Sequence, residues 1–439
     1  MENTFNYLKN VWQQIQFETK QNPTFSALIF VLLSIPLGYA INGIAVALFA
    51  LISLVTFKKL NFRIDNHLIF LVALYLLMAV SIIWSHDTNA TLTALSKTLP
   101  LFVLPFCFMI LPKFTNQQKQ KIISFYSFGM FLFALYYLVK AGFRFATCHD
   151  PEVFFYHELV TKDVNAIYIS VFMAVAAICF ISKVQKSVLD KTAAVVIAIV
   201  LFLLSSKNIS IIFIGLVGFF YWRYYTSSTK IKSIVTVVFT LFILSFAFSG
   251  KIKDRFLIEY YSVISENSLN QEIKETTGKV DNVSVAQAWS QDKFKPNDYF
   301  SGTAFRIYQI RIFKEMLQED AIALTGYGLN ATNFRIVEKG KEHTIFSGDA
   351  THEGYQKLNF HNQYVQIFAE LGIFGLLLLL ILLYSNLKNA IKTKDFAAIS
   401  FAVLMISLFL TESFLSRQRG IVFFSVLYCL FNSESRDKK

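Results

Sequence analysis

The chain of 439 residues has little charge: charged side chains make up 16% of it and apolar ones 55%. Soluble domains carry about 25% charged residues, so an ordinary soluble globular fold is excluded. Cysteine is scarce. Of Cys107, Cys148, Cys179 and Cys429, three fall inside apolar runs and only Cys148 reads as exposed, which excludes an intrachain disulfide framework and a cysteine-based metal site. The seven histidines show neither H-x-x-x-H nor H-E-x-x-H spacing, and there is no D-x-D pair. Chemistry without a metal or other cofactor is therefore expected. No repeat period or low-complexity tract is evident. The first 23 residues are polar and lack a short apolar run followed by a small-residue cleavage site. No cleaved signal peptide is expected; the first span would itself direct insertion.

The chain does hold a succession of apolar runs near the ~20-residue length that crosses a bilayer. Twelve spans are predicted, at 24–41, 43–57, 67–84, 94–111, 122–141, 164–182, 192–206, 208–222, 233–249, 368–386, 396–412 and 418–432. The expected fold is an all-α polytopic membrane protein in three parts. Residues 1–249 carry spans one to nine, 250–361 form a large loop domain, and 362–439 carry spans ten to twelve. The stretch from Thr192 to Trp222 is too long for one helix, and Ser205-Ser206-Lys207-Asn208 divides it. Short, broken helices at membrane depth are tolerated where they line a polar cavity.

The net charge is +12, which raises nucleic acid as a partner. Its location answers that. The long loop holds nearly equal numbers of basic and acidic side chains, and the excess sits in short loops. Lys58, Lys59 and Arg63 follow span two; Lys113, Lys119 and Lys121 follow span four; Lys183, Lys186 and Lys191 follow span six. Arg223, Lys230 and Lys232 follow span eight; Lys388, Lys392 and Lys394 follow span ten; Arg436, Lys438 and Lys439 end the chain. Every even-numbered exit is basic, so these loops and both termini are expected in the cytoplasm, and no nucleic-acid partner is expected.

The outer side then carries the Trp84–Asp87 loop, the 142–163 loop with His149 and His157, the Ser206-Lys207 break, the long loop, and Glu412 with Arg417 and Arg419. Two arginines on the outer side run against the topology rule, and an anionic ligand or a lipid phosphate would account for them. Within the long loop, Lys251 to Asn297 reads as polar and irregular, with a short helix around 256–264. Gly302 to Leu317 reads as a helix with apolar lines Ala304-Tyr308-Ile312-Met316 and Ile310-Phe313-Leu317, packed on both sides. Gly326-Tyr327-Gly328 ends that unit. It is no dinucleotide fingerprint, because no strand precedes it and no third glycine follows.

The loop ends at Phe360-His361-Asn362, where an apolar run begins. Tyr364, Phe368 and Leu371 continue from His361 at helical spacing, and Gly372 and Gly375 would let another helix approach closely. An imidazole with an ordinary pKa near 6.5 can accept a proton at neutral pH. On the residues alone, His361 reads either as such a base or as a ring closing a helix end at the interface.

His361-Asn362, nine residues, then Gly372 and Gly375 form a motif that resembles the O-antigen ligase and polymerase superfamily of bacterial envelope glycosyltransferases. The predicted spans, the long loop before the motif and the two spans after it resemble that family too. The resemblance runs from about Trp84 onward and is most specific over 302–375; loop size and motif are most similar to the ligase branch. It implies a GT-C-like fold in the bacterial inner membrane, with a periplasmic active site. It also implies transfer of a glycan from undecaprenyl diphosphate to an acceptor hydroxyl, lipid A-core in the ligase branch, with membrane lipids as further partners. His361 would activate that hydroxyl and two cations would hold the diphosphate. Arg306 matches one of them, and a guanidinium fork suits phosphate oxygens. At the other position, where the family has arginine, this chain has Lys207, a point charge without the fork. Arg311, Arg417 or Arg419 could share that work.

Asn362, Tyr364, Arg311, His157, Arg417 and Arg419 are the remaining candidates for substrate binding, and Lys162 lies beside His157 on the same loop. Glu412 reads as a partner for Arg417. Within the family, a polymerase or a protein O-oligosaccharyltransferase is the alternative. Outside it, the alternative is a transporter of lipid-linked glycan, which would carry its charges inside the spans, often in repeated halves. The candidate charges of this chain cluster at one face instead.

Overall fold

The computed structural model describes residues 13–57, 62–161, 164–224, 260, 262–263, 269–271, 280–349 and 354–436. The expected span at 233–249 lies outside the described residues, as do most of the expected helix at 256–264 and Lys58, Lys59, Lys162, Lys230, Lys232, Lys438 and Lys439.

The described chain is mainly helical. It runs through α1 (Thr24–Ser34), α2 (Tyr39–Val55), α3 (Ile69–Val80), α4 (Thr88–Thr98), α5 (Pro100–Ile110), α6 (Asn116–Cys148), α7 (Ala166–Ser182), α8 (Val188–Leu203) and α9 (Lys207–Tyr224). The expected spans that fall within these residues lie on helices with adjusted ends, and the one at 94–111 runs across α4 and α5. The first span stops at Ser34, just before Ile35-Pro36. The fifth is longer than its apolar run because Thr115 and Gln118 form a capping box that starts the helix early. Among the described residues, three helical stretches, 88–110, 116–148 and 363–393, are long and apolar enough to cross a membrane by length and composition, and five shorter helices are apolar.

Helix α7 shows no amphipathic stripe: from Tyr168 to Phe180 its side chains are buried without interruption. A helix that is apolar all round belongs at the centre of a bundle, and α7 packs against α6, α8 and α9. The side chains of Leu51, Val55, Leu132, Val139, Phe374, Leu377, Leu380 and Ile381 are exposed on outer faces, an apolar surface suited to lipid.

The loop domain contains a small sheet where the sequence had suggested irregular chain. Strands β1 (Leu269–Gln271), β2 (Val280–Val283) and β3 (Asp298–Phe300) run in that order, β1 antiparallel and β2 parallel to its neighbour. Val283 and Phe300 are buried, so burial of two β-favouring residues on a short pleated face outweighed the polar composition. A short helix α10 (Val285–Ser290) leads on to α11 (Gly302–Glu319) and α12 (Asn333–Glu342). Ser301 caps α11 by accepting from the Ala304 amide. The expected two-sided packing of α11 is present: Tyr308 faces Phe294 and Phe300, while Phe313 meets Phe360 and Phe368 edge to face. The chain closes with α13 (Gln363–Thr393), α14 (Phe396–Phe409) and α15 (Gln418–Asn432).

One seam joins the loop domain to the spans. Gly372 breaks α13 with φ 64° and ψ −163°, a conformation open essentially to glycine. The segment 323–329 enters the break. The amides of Tyr327 and Gly328 donate to the carbonyls of Ala369 and Glu370 (2.9 and 2.8 Å), and the Ile373 amide donates to Ala323 (2.9 Å). On its far side the same segment accepts from His86 N and Trp84 Nε1. The close approach expected at Gly372 is therefore made by a backbone strap, not by another helix. A helix broken at this point exposes carbonyls that need donors, and the strap supplies them.

Candidate active site at the start of the His361 helix

The break divides α13 in two. Roughly 20 residues from Ile373 to Thr393 rise roughly 30 Å, the thickness of the hydrocarbon core. Residues 363–371 make a separate half-helix before the break. The nine-residue spacing of the motif is thus the length of this half-helix, with His361-Asn362 at its start and Gly372 at its end. Asn362 is its N-cap: Oδ1 accepts from the amides of Tyr364 and Val365 (3.0 and 3.1 Å). His361 itself has φ 46°, uncommon for a residue with a side chain, and its amide donates to Asn359 Oδ1 (3.1 Å).

The end of α14 and the turn after it, Ser407–Ser413, gather the segments that carry the catalytic candidates. Asn208, next to Lys207 in the first turn of α9, donates to the Ser407 carbonyl and to Thr411 Oγ1 (both 2.8 Å). It also accepts from Ser407 Oγ (2.6 Å). Arg306 donates through Nε to the Thr411 carbonyl (2.8 Å) and through Nη1 to Gly302 (2.7 Å). Glu412 Oε2 lies 3.4 Å from His361 Nδ1, and the Phe305 ring meets the His361 ring edge-on at 5.9 Å. Tyr364 donates through its hydroxyl to the Ile406 carbonyl (3.0 Å). Three separate stretches, beginning at Lys207, Arg306 and His361, are thereby fixed to one turn. Lys207 and Arg306 are partly buried, and His361 keeps 27% of its side chain exposed.

Other candidates have different settings. Arg311 is tied inside the loop domain, to Glu315 (2.9 Å), the Gln291 carbonyl (2.6 Å) and Asp292 (3.6 Å). Arg419 is buried; it donates to the Leu37 carbonyl (3.1 and 2.7 Å) and lies over the Tyr39 ring at 4.3 Å. His157 is exposed in the short turn Tyr156–Leu159, with its ring against Tyr156 at 3.9 Å. Arg417 is exposed at the N-cap of α15. Glu412 faces His361, and among the described residues it forms no ion pair with Arg417. That expected pairing is corrected, because the turn at 410–413 points the carboxylate toward α13.

Behind α11 an ion network fixes its orientation. Lys339, 4% exposed at its side chain, bonds to Glu319 and to Glu342 (2.7 Å). Burial alone would lower its pKa, but the two carboxylates outweigh burial and raise it. His343 touches Tyr308 Oη (3.2 Å) and Glu315 (3.3 Å); burial lowers its pKa, with Glu315 opposing in part. Burial likewise pushes Tyr355, which packs on Phe305 at 5.3 Å, up to about 12.

Sequence reasoning underused the polar residues of α13 and the turn after α14. Gln366, Glu370 and Glu412 are buried; each is a costly side chain within or beside an apolar run, and that cost was the available signal.

No curated protein matches the chain. Residues 192–380 match the O-antigen ligase family, a segment that holds Lys207, Arg306, the strap, His361 and both glycines of the motif. The chain is a helical membrane protein whose segment 192–380 is similar to the O-antigen ligase family.

Proposed function

We propose that this protein is an O-antigen ligase-like glycosyltransferase that moves a glycan from undecaprenyl diphosphate to an acceptor hydroxyl, in first place that of lipid A-core. It would act at the periplasmic face of the bacterial inner membrane, within a twelve-span, GT-C-like fold whose termini are cytoplasmic. The observation that carries this reading is the convergence of the Lys207, Arg306 and His361 stretches on Ser407–Ser413. It ties the segments that carry two cations and a base to one stretch of chain, and displacement of a diphosphate requires such groups close together.

Lys207 and Arg306 neutralise the diphosphate and stabilise the charge that builds on it as it leaves. Arg306 commits Nε to Thr411 and Nη1 to Gly302. Its phosphate contacts therefore come from the remaining N–H groups, with its fork orientation set by the protein. His361 takes the proton of the acceptor hydroxyl, and that oxygen attacks the anomeric carbon from the side opposite the diphosphate. A single displacement inverts that carbon. The sugar–diphosphate bond supplies the energy, so neither a nucleotide nor a metal ion is needed.

A strain lacking the gene tests the reading. Lipid A-core without O-antigen, while carrier-linked polymer persists, is the expected result, and restoration by wild type but not by His361→Ala completes it. Single-repeat glycan on lipid A-core would make the protein a polymerase instead. Unchanged lipopolysaccharide with loss of glycoprotein would make it a protein O-oligosaccharyltransferase.

A further inference from the structure

We propose that Glu412 is a positioning residue for His361, locked in register by Gln366, so that His361 presents Nε2 as the base. This rests on the reading of His361 as the base and adds the residues that determine which ring nitrogen acts.

The Glu412 side chain is 4% exposed and its Oε2 lies 3.4 Å from His361 Nδ1. Burying a carboxylate costs several kcal/mol unless a partner compensates. Among the described residues the group facing that oxygen is the His361 ring. A carboxylate only accepts, so this contact places a proton on Nδ1 and leaves the lone pair on Nε2.

Gln366 ties the two partners together. Its Nε2 donates to Glu370 Oε1 (2.6 Å), which fixes the orientation of the amide. Its Oε1 then accepts from Ser413 Oγ (3.3 Å) and from the Phe360 amide (3.5 Å). Ser413 follows Glu412 in the chain, and Phe360 precedes His361. One side-chain oxygen therefore joins the residue after the carboxylate to the residue before the base. One turn earlier, Gln363 Oε1 accepts from the Leu415 amide (2.7 Å), pinning the same hairpin to the half-helix. The cap bond of Asn362 orients that half-helix from its start.

The consequence is chemical. When the acceptor O–H bond breaks, its proton moves to Nε2 and the oxygen keeps the electron pair for the new C–O bond. The old C–O bond leaves its pair on the diphosphate. An imidazolium then exists beside a fixed carboxylate, which stabilises it as the third member of a hydrolase triad does.

The test uses full-length protein in detergent with ¹⁵N-labelled histidine, and assigns the His361 signals as the difference from a His361→Asn sample. The expected spectrum shows the Nδ1–H tautomer at neutral pH, lost or mixed in Glu412→Gln. In the transfer assay, Glu412→Gln is expected to lose about 10²-fold in kcat with donor KM changed less than about twofold. Gln366→Leu is expected to lose about tenfold in kcat, and the double variant to be no worse than Glu412→Gln, because both act on one ring. An Nε2–H tautomer in the wild type overturns the proposal, and so does a Glu412→Gln enzyme with wild-type kcat. The tautomer is read without turnover, so it stands apart from the base assignment, which a fully active His361→Ala enzyme would remove.

Discussion

Gly372 backs directly onto the carbonyl of Leu324: a Cβ built on Gly372 would overlap that oxygen. These two residues, far apart in sequence, form the point where the loop domain enters the broken helix α13. Gly372 of the motif therefore builds the seam, while the first half supplies the histidine.

Gly372→Ala faces both a forbidden φ of 64° and that overlap. It is expected to destabilise the protein by about 3 kcal/mol or more, seen as a lower melting temperature in detergent and a loss of folded yield. Gly215, in α9, has open space around its Cα, and Gly215→Ala should stay within about 0.5 kcal/mol of wild type. Equal behaviour of the two variants would contradict the seam.

Asn362 caps the half-helix through Oδ1, so its worth lies in accepting two amide bonds. Asn362→Ala should cost about 1 kcal/mol and lower transfer activity by misplacing His361. Asn362→Asp retains the acceptor and should recover most of both. If the aspartate variant proved as inactive as the alanine variant while melting like wild type, the amide NH₂ would have to be a substrate contact.

Lys207 and Arg306 make separable predictions. Lys207→Arg keeps the charge and should preserve transfer, whereas Lys207→Met should raise the donor KM about tenfold or more. Arg306→Lys keeps charge but cannot hold Thr411 through a second nitrogen. It should lose more activity than Lys207→Arg, and Arg306→Ala more still. Steady-state kinetics with a lipid diphosphate donor decide the order; unaltered kinetics in Lys207→Met would move the phosphate site elsewhere.

His343 gives a pH dependence. Burial lowers its pKa, so the folded chain disfavours the protonated ring, against Glu315 and in the presence of Arg311, Lys339 and Glu342. The unfolded chain therefore binds more protons once pH falls below the ordinary histidine value near 6.5. This contribution is fully present above that value and is lost as pH falls through the depressed one. Melting temperature should drop as pH falls below about 6.5, and by less in His343→Gln. A drop of the same size in that variant would assign it to other groups.

The order of the helices was legible because apolar runs of bilayer length need no tertiary context to be recognised. Lys207, Arg306 and His361 could be named from residue type and resemblance, but the sequence had no means of showing that the segments carrying them are tied to one stretch of chain. That tie depends on Ser407, Thr411 and Glu412, remote residues that bond to Asn208, Arg306 and His361. Glu412 was assigned to Arg417 because they are neighbours in the chain, and chain distance says nothing about which way a turn points its carboxylate.

The small sheet was missed for a related reason: its strands are a few residues long, and their stability comes from burying Val283 and Phe300 in the loop's own core. Sequence by itself thus determined that this chain is a bundle of apolar helices with a polar loop ending in a histidine, since hydrophobic periodicity and length are properties of a segment. Only the tertiary structure decided that Gly372 opens its helix to a strap and that His361 faces Glu412, since close approach and hydrogen-bond partnership belong to pairs of segments.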